Sequence, residues 1–286
     1  MPPPELPPSP SGPPTGRPRR LGRGALTEPP GDLATAPYLA ALREPTGAAA
    51  AEPAGGRLRI ASYNVHRWTG VRGGGRFAPE RAATVIEELG ADVLALQEVL
   101  RPASAADPLC ALADRLGYHL AFCVTRRHRN GDLGNAILSR WPLAGAHVID
   151  LSFGRLEQRA ALATTFRTTG GPLTVAATHL ALVDATRARQ VRALLGHPGL
   201  SEGAIVLLGD MNAWRPDPAA RDLARAFVDH HNTAWPATYP SMAPVLALDR
   251  AYVRGAHLAA LEAHESPAAR RASDHLPLVA TIDLGG

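Results

Sequence analysis

The chain has 286 residues, 45% of them apolar, a formal net charge of +4, and arginine in place of every lysine. That length suits one large α/β domain or two small ones. Its two cysteines, Cys110 and Cys123, show no metal-ligand spacing and exclude a disulfide-stapled scaffold. No apolar run is long enough to span a membrane, and the charge excess permits an anionic substrate without requiring nucleic acid.

Residues 1–56 are dominated by Pro, Gly and Ala, and five arginines balance five acids there. Such a segment buries too little apolar surface to offset its ordering entropy, so it is read as a disordered tail, with one helical turn over 38–43. Arg19-Arg20 has the look of a twin-arginine export signal, but no apolar core follows it. The expectation is a cytoplasmic, monomeric protein whose folded domain spans 57–286.

A strand is expected over 57–64, entering the Gly-rich loop 70–76. Residues 79–89 read as a helix, with Pro79 near its start, Ala82, Val85, Ile86 and Leu89 at helical spacing, and Gly90 as its stop. The short apolar run 92–97 suits a buried strand, and 108–116 a second helix closed by Gly117. Strands follow over 118–124, 135–139, 145–151, 159–166 and 173–178. Asp184 caps a helix reaching Leu195. A strongly apolar strand covers 204–208, then a helix 218–227, then strands 248–253 and 276–282. Many strands with few, separated helices indicate a layered α/β fold.

Polar residues recur just beyond these apolar runs, where α/β scaffolds present catalytic groups. Glu98 follows a buried strand, where a carboxylate is costly unless paired or metal-bound. Gly209-Asp210-Met211-Asn212 follows another, pairing a carboxylate with an amide that can donate to phosphate or steady the acid. His179 ends a third strand and suits donation to developing negative charge. Asp249 lies on an otherwise apolar strand, placed to accept from His275 and fix its tautomer, and Asp274 precedes His275 directly. Carboxylates and amides without thiolate favour Mg²⁺ or Mn²⁺. Neither a Walker loop nor a Gly-x-Ser-x-Gly elbow occurs.

Taken in order, Ser62-Tyr63-Asn64-Val65-His66, Leu96-Gln97-Glu98-Val99, Gly134-Asn135-Ala136-Ile137-Leu138-Ser139-Arg140, Thr178-His179-Leu180, Gly209-Asp210-Met211-Asn212, Leu248-Asp249-Arg250 and Ser273-Asp274-His275-Leu276-Pro277 resemble the endonuclease/exonuclease/phosphatase superfamily from about Arg57 to Asp283. The likeness is nearer to its short bacterial members than to the apurinic endonucleases. It implies a four-layered α/β sandwich, two mostly antiparallel sheets packed face to face with helices outside. It further implies that Glu98 holds the metal with Asn64 and Asp274 close by. Asp210 would orient or deprotonate the attacking water with support from Asn212. His179 and His275 would bind the scissile phosphate, Asp249 would orient His275, and Asn135 and Arg159 would contact substrate. One metal or two stays open. Leu133 stands where relatives often carry an aromatic residue, and Gln158-Arg159 replaces a paired arginine.

Arginines crowd the loops beside these motifs: Arg67, Arg72 and Arg76; Arg126, Arg127 and Arg129; Arg215; Arg270-Arg271. They favour a phosphate-rich ligand. The expected function is a Mg²⁺- or Mn²⁺-dependent phosphoesterase acting on a lipid head group or other small phosphoester. A nuclease is the alternative, and a silent binding module a third reading.

Overall fold

The computed structural model describes residues 37–45, 52–73, 75–103, 106–153, 158–227 and 234–284. Most of the Pro-rich segment, Arg19-Arg20 included, lies outside the described residues. Among the described residues, twelve strands form two sheets. The first joins seven: β1 (Tyr38–Arg43), β2 (Arg57–Asn64), β3 (Val93–Pro102), β4 (His119–His128), β5 (Gly131–Ser139), β11 (His257–Ala263) and β12 (Leu278–Asp283), in the order β1-β4-β5-β3-β2-β12-β11. The second joins five: β6 (Gly145–Asp150), β7 (Ala160–Thr168), β8 (Gly171–His179), β9 (Ala204–Asp210) and β10 (Asp249–Arg254), in the order β10-β9-β8-β7-β6. Each sheet has one parallel pair, β2 with β3 and β8 with β9, and is otherwise antiparallel.

The inner faces meet in a layer of small and branched side chains. Ile60, Val93, Ala95, Ala121, Ile137 and Ala280 of the first sheet pack on Ala160, Leu162, Val175, Ala177, Val206, Leu208 and Ala251 of the second. The outer face of the first sheet is covered by α1 (Pro79–Leu89), α2 (Pro108–Leu116) and the short α5 (Ala269–Ala272). The outer face of the second is covered by α3 (Asp184–Leu195) and α4 (Pro218–Ala226). α1 buries the side chains at Ala82, Val85, Ile86 and Leu89 and stops at Gly90, which takes a left-handed φ of 53°. α2 and α4 are capped by the carboxylates of Asp107 and Asp217, which accept from backbone N–H groups of the first turn. The fold is therefore the expected α/β sandwich of four layers.

Three expectations are corrected. Residues 38–43 form no helical turn. They make β1, an edge strand pairing Tyr38 with Val124 and Arg43 with Leu120, so part of the segment assigned to the tail joins the first sheet. β11 is not among the expected strands: its sequence His-Leu-Ala-Ala-Leu-Glu-Ala is Ala- and Leu-rich without the alternation of a half-buried strand, and the sheet edge rather than local pattern makes it one. β3 does not end before Glu98 but runs through it to Pro102.

Candidate active site

The site lies along one edge of the sandwich, where both parallel pairs end. Strands that run side by side in one direction deliver their last residues to the same place: Asn64 closes β2, His179 closes β8, and Asp210 closes β9 directly opposite His179. Gly209 allows this close pairing. Its φ is 149°, and a Cβ there would lie 1.8 Å from the Thr178 carbonyl oxygen.

Glu98 reaches the same edge by a bulge. Leu96 pairs with Ala136 and Val99 with Gly134, so Gln97 and Glu98 together face Asn135, and Glu98 takes a φ of 51°. A bulge re-aims a side chain that strict alternation would bury. Gln97 turns inward, donating to the Ala95 carbonyl, and Glu98 turns into the cleft.

That cleft encloses about 580 Å³ and is lined by Asn64, Glu98, Asp210, Asp274 and His275, among others. Asp210 is its hub. Oδ2 lies 3.3 Å from His179 Nε2, 3.6 Å from His275 Nε2 and 3.3 Å from the Asn64 amide nitrogen that donates to it. Oδ1 accepts from the Asn212 backbone N–H at 3.0 Å. The Asn212 side chain, held at a φ of 50°, donates to the Leu180 carbonyl, so it is the backbone of Asn212 that steadies the acid. Behind His275, Nδ1 meets Asp249 Oδ2 at 2.8 Å, and Thr238 Oγ1 donates to the same oxygen at 2.6 Å. The Tyr239 ring packs on the imidazole with centroids 5.0 Å apart.

Burial raises the Asp210 carboxyl to about 7; charge on His275 draws it down and charge on Asp249 pushes it up. Burial works against a charged His275, but the Asp249 and Asp210 carboxylates outweigh it and push the imidazole up to about 10. His179 goes the other way: burial first, then the charges of Arg159, His275 and Arg126, hold it well below the ordinary value. The cleft thus pairs a cationic imidazole with a neutral one around a carboxylate suited to accept a proton near neutral pH.

The metal-ligand candidates line the same cleft, with Glu98 Oε1 4.0 Å from His179 Nδ1. Residues His66, Arg67 and Trp68 all have positive φ (45°, 57° and 62°), and this left-handed turn splays three side chains apart. His66 Nδ1 meets Asp274 Oδ1 at 3.1 Å, Arg67 Nε lies 3.4 Å from Glu98 Oε2, and buried Trp68 donates from Nε1 to the Leu100 carbonyl. The Asn64 carboxamide oxygen accepts from the His66 backbone. Among the described residues no three His, Cys, Asp or Glu side chains converge to enclose an ion. Two carboxylates and one amide oxygen fit an ion that keeps several of its waters, the habit of Mg²⁺ and Mn²⁺, and do not fit an all-protein cage.

Asn135 does not line the main cleft. Its amide donates to the Ala160 carbonyl, tying β5 to the second sheet, beside a small recess shared with Glu98, Arg159 and His179. Arg159 lines both the recess and the cleft. Of the loop arginines, Arg67 and Arg126 reach the cleft wall. Arg215 is instead held by Asp184 at 2.7 Å, and Arg270 by Glu265.

Thr238 and Tyr239 were missed by sequence reasoning; they sit in an irregular loop without periodicity, and only the Thr-Tyr-Pro sequence marks it. Thr238→Val keeps the shape but removes the hydrogen bond to Asp249. It is expected to lower kcat about tenfold with little change in KM, since one buried hydrogen bond to a charged group is worth about 1.5–3 kcal/mol. Equal kcat in steady-state assays would show that Asp249 needs no such support.

The chain is similar to known proteins in both sequence and fold. Residues 61–275 match the model of the Endonuclease/Exonuclease/phosphatase family. The YbhP protein of Escherichia coli is 31% identical over 249 residues, covering 79% of this chain and 96% of its own. An endonuclease/exonuclease/phosphatase structure from Beutenbergia cavernae superposes with a TM-score of 0.64 at 25% identity, covering 81% of this chain and 72% of that one. A mannosyl-6-phosphatase from Bacteroides thetaiotaomicron shares the fold with a TM-score of 0.63 at 17% identity, covering 79% and 99%. With its motifs assembled at one edge of a two-sheet sandwich, the chain belongs to the endonuclease/exonuclease/phosphatase family.

Proposed function

We propose that the protein is a Mg²⁺- or Mn²⁺-dependent phosphoesterase that cleaves a phosphodiester or phosphomonoester by in-line attack of water. The observation carrying this reading is Asp210 Oδ2, with His179, His275 and Asn64 all within 3.3–3.6 Å of it. Asp210 takes a proton from the attacking water. As the water oxygen bonds to phosphorus, the ester P–O bond breaks and the departing oxygen is protonated from solvent. His275, kept cationic by Asp249, and neutral His179 donate to phosphoryl oxygens as negative charge builds on them. Arg126 and Arg159 on the cleft wall orient the incoming anion. Glu98 and Asp274, with Asn64, would hold the ion, which when bound polarises a phosphoryl oxygen as a Lewis acid.

Hydrolysis of bis-p-nitrophenyl phosphate should require Mg²⁺ or Mn²⁺ and stop with a chelator. In His275→Ala it should fall on the order of 10²–10³-fold, the usual cost of losing one donor to developing negative charge. Undiminished turnover by that variant, or by metal-stripped protein, would overturn the assignment.

A further inference from the structure

The cleft mouth carries two chemically unlike sets of side chains. In one, Leu182 and Val183 follow β8, Trp214 follows β9, and Met242 and Val245 belong to the loop that supplies Tyr239 and Leu246 to the wall. All five are exposed, Val183 at 55% and Val245 at 73%. Large apolar side chains left in water and grouped at one rim mark a contact surface. At the same mouth the β4–β5 hairpin carries Arg126, Arg127 and Arg129 against one acid, Asp132, with Arg126 and Arg67 lining the cleft. Burial, and then the charges of Arg126, Arg129 and Arg67, hold His128 on that hairpin below its ordinary value, as a dense cationic patch should.

Apolar loops beside a cationic hairpin match the two faces of an anionic lipid interface, acyl chains below and charged headgroups above. A nucleic acid fits less well. Two arginines beside the apolar residues, Arg215 next to Trp214 and Arg270 donating to the Met242 carbonyl, are taken by Asp184 and Glu265, and Arg187 lies over the Trp214 ring at 5.9 Å, covering one face. We propose that this rim docks on an anionic phospholipid bilayer, with the apolar loops entering the interface and the arginine hairpin on the headgroups, so that the phosphoester brought to Asp210 is that of a membrane lipid. The proposal rests on the phosphoesterase reading for its substrate, but not for its surface.

The test is co-sedimentation of the full chain with vesicles of phosphatidylcholine alone or with phosphatidylglycerol added, alongside turnover of bis-p-nitrophenyl phosphate. Binding is expected to the anionic vesicles and to weaken with salt. Val183→Asp/Val245→Asp, at two exposed positions outside the cleft lining, should reduce it at least tenfold while soluble turnover is kept. Equal partitioning of variant and native protein, tighter binding to an oligonucleotide, or an apolar rim consumed in a dimer that Val183→Asp/Val245→Asp dissolves would each overturn the proposal. Vesicle binding without turnover of the soluble ester would sink the phosphoesterase reading and leave the docking surface standing.

Discussion

Asp210→Asn should lower kcat on bis-p-nitrophenyl phosphate by about 10³-fold, within the range ascribed to a positioned general base, yet leave the protein at least as stable at pH 8. The amide has the shape of the acid and can still accept from the Asn212 N–H, but it cannot take a proton from water. The stability half follows from the sign of the shift. Burial raises the carboxyl from its ordinary 3.8 to about 7 in the folded protein. The folded state therefore holds this proton more tightly than the unfolded one. Stability from the group is complete below the unfolded value and is lost as pH rises through about 7. At pH 8 the native protein carries a buried anion that the variant does not. Thermal melts at pH 8 and pH 5, read beside kcat, separate the two effects. A variant that melts well below native at pH 8 would mean that Asp210 holds the site together rather than working in it. A loss under tenfold would remove it from the role of base.

Gly209→Ala should be strongly destabilising. The new Cβ would sit 1.8 Å from the Thr178 oxygen, and both the glycine's φ of 149° and the strand pairing prevent it from turning aside. β8 and β9 must part where His179 and Asp210 lie across from each other. A loss of about 3 kcal/mol or more is expected, in line with backbone strain plus overpacking. If Asp210 acts as the proposed base, activity should fall further than stability, because whatever folded protein remains has Asp210 and His179 displaced. Urea melts on the purified variant measure the first. If stability is within 0.5 kcal/mol of native, roughly the spread of ordinary surface changes, the strands can separate without cost and the close approach is not structural.

The candidate site was legible because its polar residues interrupt apolar runs. Asn64, His179 and Asp210 each close a buried strand, and a polar side chain there needs a partner or a task. A layered α/β fold followed from strand count and helix spacing, whereas the four-layered sandwich came only with the family resemblance. What escaped was set by distant neighbours. β1 is a strand because β4 offers it an edge, not because its own residues demand one. The bulge at Glu98 is visible only once Asn135 is seen to face two residues of β3. Arg215 and Arg270 read as rim charges until their acids are found, one of them 31 positions away. Thr238 supports Asp249 across an 11-residue gap without any regular element between the two to signal it.

The alanines between the sheets have one more consequence. Asn64 belongs to the first sheet and Asp210 to the second, and they meet at 3.3 Å across the layer that Ala95, Ala160, Ala177 and Ala251 keep thin. The sandwich thus behaves as a caliper whose jaws are two parallel strand pairs and whose set screw is the size of its smallest core residues. A methyl group added deep in that gap would open the jaws at the far end, so residues buried between the sheets set the spacing of Asn64 and Asp210.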